Sequence, residues 1–259
     1  EQFPVGSRHM KQILLMIALV ALVGCGKKPA EESVFDLGRP DITKPSKPPA
    51  KTETQIEAEI KAFAETKVKA EAGDAEMQTI LGFMYGNGEG VDQDFKEAVK
   101  WTQKAADQGY AGAQYNLGMI YAKGLGVEKD FKEAVKWYQK AAEQGFAQAQ
   151  SDLGLRYDNG QGVDQDFKEA VKWYQKAAFQ GNANGQNNLG VMYGMGKGVE
   201  QNYVTAYAWA SIAATNGHNV APRFKSQFLE PKMTPAQIAK AGELVKEMVK
   251  ENPKLLNKE

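Results

Sequence analysis

One cysteine, two histidines and nine evenly spaced lysines are the residues of this 259-residue chain whose type and spacing could do chemistry. Cys25 is the sole cysteine. With no second thiol it can form neither an intramolecular disulfide nor a multi-cysteine metal site, so what is left to it is modification. His9 and His218 are not grouped with a serine or cysteine that would pair a nucleophile with a base. The acidic residues mostly stand where helices begin, and no pair of them is marked out as the two carboxylates of a glycosidase. Gly86, Gly88 and Gly90, like Gly194, Gly196 and Gly198, superficially match phosphate-binding loops. Such loops need a preceding strand, whereas here a helical pattern precedes and the glycines recur in register as turns. The expectation is a protein that is not an enzyme and holds neither a metal nor a cofactor. Its 32 basic and 32 acidic residues cancel, so no global field attracts nucleic acid.

The surroundings of Cys25 say what modification to expect. Lys11 supplies a short positive region, Ile13 to Val23 form an apolar run, and Gly24 and Cys25 end it. The run is too short for a ~30 Å hydrocarbon core, which takes about 20 helical residues. It reads as the core of an export signal. Leu22-Val23-Gly24-Cys25 resembles the lipobox of bacterial lipoproteins, which implies acylation of Cys25 and cleavage before it. No aspartate follows Cys25, which in enteric bacteria points to the outer membrane. From Cys25 to Ala50 prolines recur among lysines and acids, with little to bury, giving a disordered tether. Residues 1–9 read as a cloning remnant or an upstream translated stretch. The expected organisation is a signal peptide over 10–24, a lipidated cysteine and tether over 25–50, and a capping helix over 51–72. Four repeats over 73–216 and a degenerate repeat with a C-terminal capping helix over 217–259 complete it.

The elements that position everything else come from repetition. DFKEAVKW starts at Asp94, Asp130 and Asp166, 36 residues apart, and a fixed period of this size marks a solenoid of stacked supersecondary units. In the second unit, Ala113, Leu117, Ile120 and Tyr121 recur at helical spacing. Gly124 and Gly126 break that helix, and Asp130 with Glu133 starts the next. Gly82, Gly118, Gly154 and Gly190 sit inside the first helices, where glycine costs roughly 1 kcal/mol against alanine. That implies a close crossing, for which Trp101, Trp137, Trp173 and Trp209 are the expected large partners. At the ends, Ile56, Ile60, Phe63 and Val68 are expected to cover the first unit. A helix begun by Thr234 and Pro235 is expected to cover the fourth.

The motif Gly-x-Ala-x-x-Gln-x-x-Leu-Gly-x-x-Tyr, then Gly-x-Gly-Val, then Phe/Tyr-x-x-Ala-x-x-Trp and a double alanine, resembles the Sel-one-like repeat, a cousin of the tetratricopeptide repeat. The resemblance implies an all-α, right-handed superhelical solenoid of helix-turn-helix units acting as a scaffold for protein partners. Family members linked with penicillin binding pair cysteines within each repeat; no cysteine lies in these repeats, so that activity is not carried over.

Two surfaces are candidates for recognition. Related repeats line a concave groove with the first helices, and here the positions at offsets zero, three and four from Glu76 vary between units. The candidate groove residues are Glu76, Thr79, Tyr115, Asn116, Gln148, Ser151, Asp152, Asn184, Asn187 and Asn188. Their amides suit an extended peptide, and would also permit a carbohydrate or peptidoglycan ligand. The other surface is the lysine rows of the second helices: Lys96, Lys100 and Lys104; Lys132, Lys136 and Lys140; Lys168, Lys172 and Lys176. Stacked side by side they form a basic patch fit for anionic headgroups or acidic envelope polymers. The alternative is that they merely solvate the outer face. The function expected is an envelope-anchored, peptide-binding scaffold, with a glycan binder and a hydrolase with an unrecognised carboxylate site as rivals.

Overall fold

The computed structural model describes residues 52–256. The chain divides at Ile56; the described residues before that point are the start of the first helix, and those from Glu57 onward form one packed unit. The helices are α1 (Glu53–Glu71), α2 (Ala75–Asn87), α3 (Phe95–Asp107), α4 (Ala111–Lys123), α5 (Phe131–Glu143), α6 (Ala147–Asn159), α7 (Phe167–Phe179), α8 (Ala183–Met195), α9 (Tyr203–Thr215), α10 (Ala221–Phe224) and α11 (Pro235–Glu251). No strand occurs among the described residues. α2/α3, α4/α5, α6/α7 and α8/α9 are the four helix pairs, and each second helix also packs on the first helix of the next pair. This is an all-α solenoid.

Local chemistry fixes each boundary. Asp94, Asp130 and Asp166 adopt extended backbone and accept from the amides two and three residues on, at 2.8–3.1 Å, satisfying donors that a helix start leaves bare. The first helices end in left-handed glycines, Gly88, Gly124, Gly160 and Gly196. The second glycine of each turn does more than turn. A β-carbon on Gly126 would lie 2.6 Å from the carbonyl oxygen of Phe95, so the turn of one unit rests on the backbone of the unit before.

The glycines inside the first helices do mark close crossings, but their partners differ from those expected. A β-carbon on Gly118 would stand 2.6 Å from the Tyr138 ring, and one on Gly154 2.8 Å from that of Tyr174. Gly82 meets Thr102, and only Gly190 lies near a tryptophan, Trp209, together with the backbone of α9. Consecutive helical residues diverge by about 100°, so Trp137 and Tyr138 cannot share a face. Trp137 turns instead to the unit boundary, packing with Ala105, Ala106, Ala113 and Leu117. Trp101 does the same with Ala70 and Leu81.

Across each boundary runs a buried polar link. Gln114 donates to the Ala106 carbonyl at 3.2 Å, and its own side-chain oxygen accepts from Gln144 at 2.7 Å. The same bond to a carbonyl eight residues back, and the same bond from an amide thirty residues on, recur at Gln78 with Gln108, Gln150 with Gln180, and Gln186 with Asn216. These glutamines are at most 5% exposed, where an unpaired amide would be costly.

The ends reuse the same grammar. α1 behaves as the second helix of a preceding unit: Ala70 accepts from Gln78 as Ala106 does from Gln114. Of its apolar residues, Phe63 packs edge-on against Tyr85 at 5.3 Å. Ile56, Ile60 and Val68 stay 46%, 52% and 67% exposed and do not cover the first unit. The reason is register: Ile60 and Val68 stand 36 residues before Lys96 and Lys104, on the outward row. At the other end α11 opens with a reciprocal capping box between Thr234 and Gln237 and packs against α9. Leu255, buried beyond it, offers its carbonyl to Gln186 at 2.8 Å and to Asn216 at 2.6 Å, closing the last polar link.

Candidate functional site

First helices of neighbouring units touch, α2 with α4 and α6 with α8, while successive second helices make no comparable contact. The first helices therefore form the inner row and the second helices the outer one.

On the outer row all nine lysines are exposed, yet most are engaged locally. Lys100, Lys136 and Lys172 pair with Glu97, Glu133 and Glu169 one turn back, and that hydrogen bond is the first cause that raises each ammonium's pKa. Lys104, Lys140 and Lys176 lie over the rings of Trp101, Trp137 and Trp173, at 4.1, 3.7 and 3.8 Å. Of the nine, Lys96, Lys132 and Lys168 form neither an ion pair nor a cation–π contact among the described residues. α3 and α5, with their N-caps, carry as many carboxylates as lysines, Asp94, Glu97 and Asp107 in one and Asp130, Glu133 and Glu143 in the other. α7 alone keeps an excess, because Phe179 replaces the last acid.

The inner row divides in two. The positions at offset three are buried: Thr79 is 5% exposed, Tyr115 7%, Ser151 3% and Asn187 7%. They are not free to recognise a ligand, which corrects the expectation for these four. An offset of three rotates a side chain toward the neighbouring unit, so variation here is repacking. Tyr115 shows it, with its ring 5.8 Å from Tyr138 and 5.2 Å from Phe146 of the following unit. Thr79 simply returns its hydroxyl to the Ala75 carbonyl at 2.8 Å. Glu76, Gln148, Asn116, Asp152 and Asn188 are partly exposed, and Asn184 is fully so. These six, with Ile80, form the accessible inner face.

That face holds unsatisfied polarity. The side-chain oxygens of Asn116 and Asn187 are buried without a partner among the described residues. Asp152 on α6 lies beside the Tyr115 hydroxyl on α4. Burial holds the Asp152 carboxyl above the usual carboxylate range, against the lowering influence of Tyr115, Arg156 and Lys123. Burial likewise pushes up the Tyr115, Tyr138 and Tyr174 hydroxyls, with the Asp152 charge adding to each. Arg156 is a member of this cluster that sequence reasoning missed. The equivalent positions are Met84, Ile120 and Met192, and a charge where three units place an apolar residue is the signal that would have found it.

His218, half-buried, accepts from the Ala221 amide at 3.2 Å and has its pKa lowered by burial. It sits in the turn before α10 as a structural cap. Among the described residues no group of histidine, cysteine and carboxylate side chains gathers to hold a metal ion, and no helix is long and apolar enough to cross a membrane. Cys25, the apolar run before it and the proline-rich stretch after it lie outside the described residues.

Comparison with known proteins agrees with this architecture. The Sel1 repeat model matches four times in direct succession, over residues 75–110, 111–146, 147–182 and 183–218. A Sel1 repeat protein from Oxalobacter formigenes is 37% identical with a TM-score of 0.60, over 65% of this chain and 49% of that one. A protective antigen of uropathogenic Escherichia coli displaying an SLR fold is 28% identical, over 76% of this chain and 58% of that one, with a TM-score of 0.40. The chain thus spans about half the length of the Oxalobacter protein. A search of curated proteins finds no match. With four consecutive units matched and the helix pairs, turns and boundary contacts of such units in place, the chain belongs to the Sel1 repeat family.

Proposed function

We propose that this protein is a non-enzymatic scaffold, held in the bacterial envelope by acyl chains on Cys25, that binds an extended polypeptide along the inner face of its first helices. Sel1 repeat proteins are generally protein–protein interaction scaffolds. The observation that carries the choice of face is the contrast in polar satisfaction. Asn116, on the accessible inner face, keeps a buried side-chain oxygen without a partner, an acceptor that a ligand N–H can fill, whereas the unpartnered groups of the second helices are the indole N–H groups of Trp101 and Trp173 and the Tyr174 hydroxyl. An extended chain presents N–H groups at a rise of about 3.3 Å per residue, so a segment of roughly three residues spans one unit when neighbouring helices lie about 10 Å apart. Its backbone can supply the missing donors repeatedly without demanding one sequence.

A photo-crosslinking residue placed at Asn188 should capture a partner from envelope extracts, and the same group at Lys136 should not. Capture only from Lys136, or sedimentation of the protein with purified sacculi undiminished by Asn116→Ala and Asn188→Ala, would reverse the assignment. The anchor has a separate test: Cys25→Ser should abolish incorporation of labelled fatty acid and release the protein from the membrane fraction. Two acyl chains give stable attachment where one does not.

A further inference from the structure

We propose that the segment bound on the inner face presents a basic side chain, lysine or arginine, to the carboxylate of Asp152. The inference rests on reading that face as a polypeptide-binding groove, and names the residue type at its centre. Asp152 stands in the accessible row between Asn116 and Asn188, each 36 residues away. Of the twelve positions at offsets zero, three and four on the first helices, only two carry a formal charge, Glu76 and Asp152, and both are acidic. Their field favours a cation and opposes an anion.

The nearby cations do not answer Asp152. Neither Lys123 nor Arg156 forms an ion pair with it among the described residues. Arg156 is turned to other partners: its guanidinium lies over the Phe131 ring, 5.2 Å from the centroid, and donates to Gln161. An ionised carboxylate can accept about four hydrogen bonds, and the side-chain donor beside this one is the Tyr115 hydroxyl. On the accessible row beside it the unpartnered oxygen of Asn116 wants a donor, while Arg156 Nε is a buried donor left over and the Tyr174 hydroxyl can act either way. An ammonium brings three donors and a guanidinium five, with no acceptor. The peptide backbone beside the basic residue supplies further N–H groups to Asn116 and Asn188 on the accessible row.

The charged and titratable groups facing Asp152 are Tyr115 and Lys123 from α4, Tyr138 from α5, Arg156 from its own helix and Tyr174 from α7. Their net effect leaves the carboxyl destabilised as an anion, mainly through burial. A ligand cation would remove that penalty, so binding releases a proton where Asp152 is still protonated. Affinity should fall as pH drops through the raised carboxyl range.

The test is a fluorescence anisotropy titration of the full chain with labelled, acetylated Ala/Ser/Gly nonapeptides that differ only at the central residue: Lys, Arg, Gln or Glu. The Lys and Arg peptides should bind about tenfold or more tighter than the Gln peptide, the scale of one close charge pair. The Glu peptide should bind weakest. Asp152→Asn, which keeps the shape of the side chain, should bring Lys and Arg down to the Gln level. Asn116→Ala with Asn188→Ala should weaken all four peptides alike. Equal affinities for Lys and Gln, or a Lys preference that survives in Asp152→Asn, overturns the basic-residue assignment while leaving the groove standing. Binding that ignores the asparagine pair, or no binding by any peptide, overturns the groove reading and this assignment with it.

Discussion

The first and second helices of this solenoid share one 36-residue period but use it in opposite ways. Along α3, α5 and α7 the sequence is nearly a copy, and most charged side chains are engaged on their own helix, although the Trp101 and Trp173 N–H groups and the Tyr174 hydroxyl are buried without a partner among the described residues. Asp130 caps the helix, Glu133 holds Lys136, and Lys140 covers Trp137. Along α2, α4, α6 and α8 the sequence varies, and part of that variation is inward. Tyr115 and Ser151 occupy equivalent buried sites, one filling with an aromatic ring what the other leaves to its neighbours. Variation between units therefore does not identify a recognition surface by itself. Variation joined to an unsatisfied polar atom, as at Asn116, is the narrower criterion.

Breaking the repeated side of the comparison should have the largest effects. Trp137→Ala removes a buried ring at a unit boundary and should destabilise by about 3–5 kcal/mol. Because neighbouring units depend on the interface, circular dichroism should show a lower midpoint for the whole solenoid and not only for one unit. Gly118→Val forces a side chain against the Tyr138 ring and should cost about 1–3 kcal/mol or more through overpacking. Combining it with Tyr138→Ala should recover part of the loss, a coupling that a double-mutant cycle would detect. Gln114→Ala removes the bonds to the Ala106 carbonyl and from the Gln144 amide, but both partners keep a bond to Gly109, so the loss should be about 1 kcal/mol per bond or less in a chemical melt.

On the varied side the expected effects are smaller and differ in sign. Burial raises the Asp152 carboxyl, so its ionisation opposes folding. Stability from this group is fully present below the unfolded carboxylate pKa of about 3.9 and is lost as pH rises through the raised folded value. Asp152→Asn should accordingly melt higher than the wild type at pH 7 and at the same temperature at pH 3. A lower melting point at pH 7 would mean that Asp152 is ion-paired in solution. Least of all, replacing Lys96, Lys132 and Lys168 with glutamine should leave the midpoint unmoved, since these ammoniums make no ion pair in the described structure.

The fold was legible in the sequence because a repeat states its own register. DFKEAVKW gave the period, and the spacing from Ala113 to Tyr121, the glycine turns and Asp130 gave the helix pair. What was not legible is which residue of a helix meets which neighbour. The glycines at 118 and 154 announced close crossings, but naming the tryptophans as partners missed by one residue. Adjacent positions such as Trp137 and Tyr138 are both large and apolar, and only the packing angle separates them. The accessibility of the candidate residues was legible only in part. The offset-four residues are accessible, while those at offset three turned out to be packing. No composition rule distinguishes the two when both carry Thr, Ser, Tyr or Asn. Arg156 escaped because the comparison between units stopped one helical turn short of it.

The glutamine links carry a consequence for the length of the molecule. Each one reaches eight residues back and thirty residues on, so none depends on how many units lie elsewhere. If residues 111–146 were excised, Gln150 would find Ala106 where it now finds Ala142, and Gly162 would rest on Phe95 in place of Phe131. Unit number is then an adjustable ruler: a gene can add or delete whole 36-residue steps without redesigning either end, setting the length of the inner face. A three-unit version should remain cooperatively folded and melt lower, by the loss of one unit and one interface. In that light the identical DFKEAVKW at three places is what duplication of a whole unit would leave.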